Sequence, residues 1–307
     1  MTRRAAAGLT RLFPLLLIAG ALAAVLIAAL AAACGGGGGG DSPQPTATVT
    51  ATASPAASPG ASSSPSATPR PERTPVTLYY IRGGELCAVE RRMPYTVAPA
   101  RATLNALFKG PTSSERSAGV STAMPGGVKL RGITIAGGTA SVDLSSGFAD
   151  PAADPEPDAT AQVVYALTQY PTVRKVTIRV EGQPFPAGEQ PGATPAVWRR
   201  ADFRSLEPAI FVERPGLGAV VSSPFTMRGT ASVYEGSFTA RLVDAGGRRV
   251  VSTTVQATRG APGRGVFRKE IAFSTSAAAG TLVVFTQSME DGSQQNTLRI
   301  PITFAGN

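Results

Sequence analysis

The sequence contains no histidine and only two cysteines, Cys34 and Cys87. Without histidine, the commonest general base and the commonest metal ligand are both missing. Two cysteines are too few for a disulfide framework or a thiolate zinc site. Tryptophan occurs once, and aromatic residues make up 6% of the chain. The stacking platforms and dense basic stripe of a nucleic-acid binder are therefore lacking, and no nucleic acid is expected as a partner. No nucleophile elbow, phosphate loop or EF-hand spacing occurs. The expectation is a protein with no catalytic residue, no cofactor and no metal.

The charge that is present is spread thinly. The formal net charge is +9, and removing residues 1–33 with Arg3, Arg4 and Arg11 leaves 26 basic against 20 acidic side chains. Residues 13–33 run without a charge to Ala31-Ala32-Ala33. A basic start, an apolar stretch and small residues at its end make a secretory signal. Cys34 follows directly, in Leu30-Ala31-Ala32-Ala33-Cys34-Gly35. This junction resembles the lipobox of bacterial lipoproteins, which implies lipidation of Cys34 and a tether to the outer face of the cytoplasmic membrane. Leucine stands four residues before the cysteine where three is usual, and ~20 apolar residues would span a bilayer. An uncleaved signal anchor is the alternative.

Residues 34–75 hold the run Gly35 to Gly40 and then mostly Ser, Pro, Thr and Ala. Such a composition cannot bury enough apolar surface to offset chain entropy, so a disordered stalk is expected. Order begins at residue 76. Val76 to Ile81 is a β-branched and aromatic strand, Leu86 to Glu90 a returning one, and Pro99 to Lys109 has helical spacing closed by Gly110-Pro111. Thr112 with Glu115 fits a capping box. Val128–Ile135 and Thr139–Leu144 form a hairpin about Ala136-Gly137-Gly138. A second helix, with Asp158 as its cap, carries Val163, Val164, Leu167 and Tyr170 on one face before the strand Val173–Val180. This order makes residues 76–182 an α+β module, a small sheet with helices on one face.

Phe108-Lys109-Gly110-Pro111-Thr112, Gly119 to Pro125, Ala140 to Ser145 and Val164 to Pro171 together resemble the GerMN domain of sporulation and spore germination proteins. The resemblance covers about residues 76–182. It implies an extracytoplasmic interaction module, related in shape to ring-building domains, without an agreed active site. Asp143 has neither a histidine nor a second carboxylate at fixed spacing to work with, and is expected to bond local backbone. Asp150, Asp154, Glu156 and Asp158 are interrupted by prolines and are expected to form a solvated loop.

Residues 183–206 hold several prolines and glycines and are expected to act as a connector whose Trp198 packs against one module. From residue 207 to 307 the pattern is all-β. Seven strand candidates separated by turn signals point to an immunoglobulin-like sandwich, and Leu298, Ile300, Ile302 and Phe304 alternate on the last of them. Val221-Ser222-Ser223-Pro224 through Glu235, with Gly260 to Gly265 and Ser288 to Ser293, resemble the immunoglobulin-like domain of bacterial spore germination proteins. The two modules are expected to fold independently, and Cys87 to be an inert buried thiol.

The functional expectation is a membrane-tethered, non-catalytic interaction module in envelope assembly or signalling, related to sporulation or germination. Its partners would be the membrane, through its lipid, and an envelope protein or cell-wall polymer. The alternative is a binder of cell-wall glycan or another anionic polymer, with Arg264 and Arg268 as ligand-binding residues among Arg248, Arg249, Arg259 and Lys269. A hydrolase would need a tuned carboxylate pair or an activated nucleophile, and the sequence supplies neither.

Overall fold

The computed structural model describes residues 72–149, 157–186 and 194–305. Cys34, the apolar leader, the stalk up to residue 71 and the acids Asp150, Asp154 and Glu156 lie outside the described residues.

The first region runs β1 (Arg73–Arg82), β2 (Glu85–Pro94), α1 (Pro99–Phe108), α2 (Ser113–Ser117), β3 (Val120–Ser121), β4 (Leu130–Ala136), β5 (Thr139–Leu144), α3 (Pro157–Thr168), β6 (Lys175–Val180), β7 (Gln183–Phe185) and β8 (Val197–Trp198). The α+β character is as expected, but the strands are distributed over two sheets. One has the order β2-β1-β3, the other β4-β5-β6-β7, with β8 also pairing on β6. Two kinds of local connection produce this division. β1 and β2 close as a tight antiparallel hairpin, whereas β5 and β6 run parallel and need α3 as their crossover. Helices α1 and α3 pack against strands of both sheets.

Local sequence accounts for most of these elements. Pro99 opens α1 without losing a needed N–H, and Gly110 follows it with φ +75°. Thr112 accepts the Glu115 amide at 3.3 Å while Glu115 reaches back to the Thr112 N–H at 2.8 Å, as the capping box requires. Helix α3 starts at Pro157, so Asp158 lies within its first turn and not at its cap. Two glutamines on and beyond α3 do work that periodicity does not show. Buried Gln162 donates to the Tyr79 carbonyl at 2.8 Å and accepts the Ala123 amide at 2.9 Å. Gln169 pairs with both backbone groups of Thr77.

The second region is an eight-stranded sandwich: β9 (Ile210–Arg214), β10 (Val220–Val221), β11 (Phe225–Ala231), β12 (Ser237–Asp244), β13 (Arg249–Gln256), β14 (Gly265–Ile271), β15 (Ala279–Gln287) and β16 (Gln294–Phe304). Its sheets have the orders β10-β16-β15-β12-β13 and β14-β11-β9. Seven strands match those expected, and the short parallel β10 is the addition. Ile300, Ile302 and Phe304 point into the core as their alternation predicts, with Leu298 partly buried beside them.

The segment expected to be a mere connector is built into the first region. β7 and β8 extend its larger sheet, and Trp198 lies 5.5 Å from Phe203 between ring centroids. Phe203, Phe211 and Leu217 are buried in the same core cluster as Leu78, Tyr79 and Leu167. Truncating one such phenylalanine costs about 3–5 kcal/mol, so the first core depends on residues of the second. This packing runs against the expectation that the two modules fold independently. Cys87 is partly buried, and burial raises its thiol pKa to about 11, which agrees with an inert thiol.

Candidate functional site

The two modules meet around one arginine. Arg200, in the 3-10 turn Arg200–Leu206, donates to Glu213 at 2.8 Å, to the Tyr79 hydroxyl at 3.1 Å and to Thr168 Oγ1 at 2.7 Å. Its guanidinium lies 5.3 Å from the Tyr79 ring centroid and 4.6 Å from that of Tyr165. Tyr79 donates in turn to Glu213 at 2.7 Å. Burial works against the Glu213 carboxylate, but Arg200 and the Tyr79 hydroxyl outweigh it and hold its pKa below the usual value. Burial, assisted by the neighbouring carboxylate, pushes the Tyr165 phenol well above the ordinary tyrosine range.

A second cluster sits beside the first. Glu207 accepts from Tyr165 and from Thr230 at 2.7 Å, and forms an ion pair with Arg264 at 3.0 Å. Arg264 also donates to the Glu207 and Pro208 carbonyls at 3.3 and 3.0 Å. With its side chain 11% exposed and its donors engaged, Arg264 is a structural cation and not a surface ligand for an anionic polymer. That corrects the expected pairing of Arg264 with Arg268: the former turns inward, the latter outward.

Arg268 finds other company. In the antiparallel register of β9, β11 and β14, Arg228 stands opposite Arg268 on one side and Arg214 on the other. Cross-strand partners lie close, so three like charges in a row repel, a cost offset in part by Glu213 near Arg228 and Glu90 near Arg214. Among the described residues, none of the three makes a hydrogen bond or ion pair with a side chain, and Arg214 Nε is buried without a partner.

This row borders a groove. One part, about 690 Å³, is lined by Thr168, Arg200, Glu213, Arg228, Thr230 and Arg268, among others. A second part, about 610 Å³, is walled by Met93, Tyr95, Val97, Tyr170, Arg214 and Arg228, among others. Gln169 and Arg228 line both, so the parts adjoin. Val97 is 87% exposed at the apolar end. Gly229 forms part of the floor, where a Cβ would lie 1.9 Å from the Phe211 carbonyl oxygen; only a residue without a side chain lets β9 and β11 approach so closely.

The remaining sequence candidates are placed elsewhere. Asp143 accepts the Gly182 N–H at 2.9 Å and pairs with Arg131 at 3.2 Å, tying the turn after β6 to the sheet. Arg248 is bound to Asp244, and Arg249 and Arg259 are exposed and are not among the groove's lining residues. Sequence reasoning missed Arg214 and Arg228. Alternation along β11 marks Arg228 as outward-facing, but the alignment of Arg214 and Arg228 with Arg268 depends on pairing between strands distant in sequence.

No curated protein matches the chain. Among solved structures, the first GerMN domain of the sporulation protein GerM from Bacillus subtilis is 25% identical, covering 42% of this chain and 99% of that one, with a TM-score of 0.34. The tandem GerMN domains of the same protein are 17% identical, with 66% of this chain and 63% of that chain covered and a TM-score of 0.34. A putative lipoprotein from Clostridium perfringens is 15% identical over 44% of this chain and 93% of its own, with a TM-score of 0.29. The family described as sporulation and spore germination matches residues 77–185. The immunoglobulin-like domain of bacterial spore germination matches residues 209–293. The chain therefore carries a GerMN domain of sporulation and spore germination followed by the immunoglobulin-like domain of bacterial spore germination.

Proposed function

We propose that this protein is a lipid-tethered extracytoplasmic module without enzymatic activity, and that it binds an envelope protein in a process related to sporulation or germination. The observation that carries the reading is the Arg214–Arg228–Arg268 row running into an apolar pocket. Such a surface suits a polypeptide segment in which acidic residues lie next to an apolar or aromatic one. The arginines set register and speed of encounter, and the apolar pocket holds the partner. Asp143 and Glu213 are occupied by structural bonds, and the two families are not known as enzymes.

A single variant tests this. Arg228→Glu places an acid between two arginines, which relieves their repulsion but takes a cation away from Glu213, so the fold stability is expected to change by less than about 1 kcal/mol. The same change weakens partner binding, a combination that a purely structural role does not produce. Photo-crosslinkers at Val97 and Arg268 should capture the same envelope protein, and Arg228→Glu should remove it from both. Capture of purified anionic wall polymer instead, with no protein crosslinked, would overturn the protein-partner reading in favour of the polymer.

A further inference from the structure

A separate cleft of about 700 Å³, which shares no lining residue with the groove, opens where β12, β13, β15 and β16 end. Its lining contrasts with that of the groove. Thr239, Thr254, Thr286 and Ser288 supply hydroxyls, Gln287, Gln295 and Asn296 supply amides, and no arginine or lysine lines it. Over it stand two large exposed side chains, Tyr234 at 75% and Met289 at 94% exposure.

The polar groups are ordered by the sheet. Thr239 of β12 is paired with Thr254 of β13, and Thr286 of β15 with Gln295 of β16, whereas Thr239 stands opposite Phe285 on β15, so the cleft gathers one polar pair from each face at the end of the sheet. Asn296 Nδ2 donates to Thr286 Oγ1 at 2.9 Å, which fixes the amide's orientation. Three non-glycine residues among the described ones hold a positive φ, and two of them, Glu235 at +53° and Asn296 at +51°, line this cleft. Side chains held in the left-handed region concentrate where a surface has been shaped for use.

We infer that this cleft is a binding site for a neutral saccharide. A sugar ring presents a flat C–H face and a rim of hydroxyls that both donate and accept. An exposed tyrosine ring offers the apolar platform for the face, and amides and hydroxyls match the rim because they also donate and accept. Anionic polymers are disfavoured by Glu235 and Glu290, since no arginine or lysine is among the lining residues. An apolar ligand would leave the amides unpaired. The site differs in place and chemistry from the arginine-based polymer binding expected from sequence, and it is independent of the groove.

The test uses the full chain and two neutral probes, the tetramers of N-acetylglucosamine and of glucose, read by saturation-transfer NMR and calorimetry. At least one probe should bind at millimolar concentration, with transfer strongest to its ring C–H protons. Tyr234→Ala should weaken binding about tenfold, the size of an anchor truncation, whereas Tyr234→Trp should retain it. Because Tyr234 is exposed, the fold should not depend on it. Asn296→Gly keeps the left-handed backbone accessible and removes the amide, and it should weaken binding several-fold. Arg228→Glu should leave it unchanged, which separates this site from the groove. The inference is overturned if neither tetramer binds, if Tyr234→Ala binds as tightly as the parent, or if dextran sulfate competes for the same site.

Discussion

Two clefts of nearly equal volume, about 690 and 700 Å³, are both lined by residues of the immunoglobulin-like module and differ in almost every chemical respect. The first is bordered by Arg200, Arg228 and Arg268; the second has no basic residue at all. Strand pairing aligns Arg214, Arg228 and Arg268 on one sheet of the sandwich, whereas the lining of the cleft at the end of the other sheet includes no arginine or lysine. The first cleft also needs both modules, since Thr168, Gln169 and Arg200 come from the first region or the turn joined to it. The second is built from the sandwich alone.

The strongest way to break the comparison is Arg200→Ala. It leaves the Glu213 carboxylate partly buried without its cation and strips two tyrosine faces, so a loss of about 3 kcal/mol is expected. Urea unfolding measures the loss, and saccharide binding at the second cleft should persist in the folded fraction. A change under about 0.5 kcal/mol would mean that the arginine only decorates the junction.

Acid should act on the same junction. Glu213 has a folded-state pKa below its unfolded value, so its contribution is complete above about pH 4.3 and is lost as pH falls through the folded pKa. Glu115, held down against its own burial by Arg91, behaves alike. Urea midpoints should fall between pH 5 and pH 3, and Glu213→Gln should flatten part of that slope but not all of it, because Glu115 remains. An unchanged slope would remove Glu213 from the account.

The smallest effect sharpens the contrast. Raising salt from about 0.1 M to about 1 M shortens the screening length from ~10 to ~3 Å. Partner binding at the arginine row should weaken several-fold, while saccharide binding should change by less than about twofold. Equal sensitivity at both clefts would erase the distinction.

Much of the fold was legible because its signals are local. The Thr112–Glu115 box, the Gly137-Gly138 turn and the alternation of Ile300, Ile302 and Phe304 each lie within a few residues. The failures came from long-range pairing. Nothing near Arg264 marks it as the partner of Glu207, 57 residues earlier, and nothing near Arg228 marks it as the neighbour of both Arg214 and Arg268. The prolines and glycines of residues 183–206 read correctly as breakers of long elements, but they did not show that the short pieces between them would join β6.

One short segment has consequences for inheritance. Leu217 donates to the Ala88 carbonyl and accepts the Glu90 amide, both at 2.9 Å, and Gly218 donates to the Pro301 carbonyl at 3.0 Å. Residues 216–218 therefore close the free edge of β2 in the first module while pairing with β16 in the second. At Gly216 a Cβ would come within 3.0 Å of the Ala88 oxygen and the Glu90 nitrogen. Gene fusion that exchanged the immunoglobulin-like domain at the family boundary would remove this strap. The new neighbour would have to bring an equally bare stretch of backbone, or β2 would be left as an open edge for another molecule to pair with.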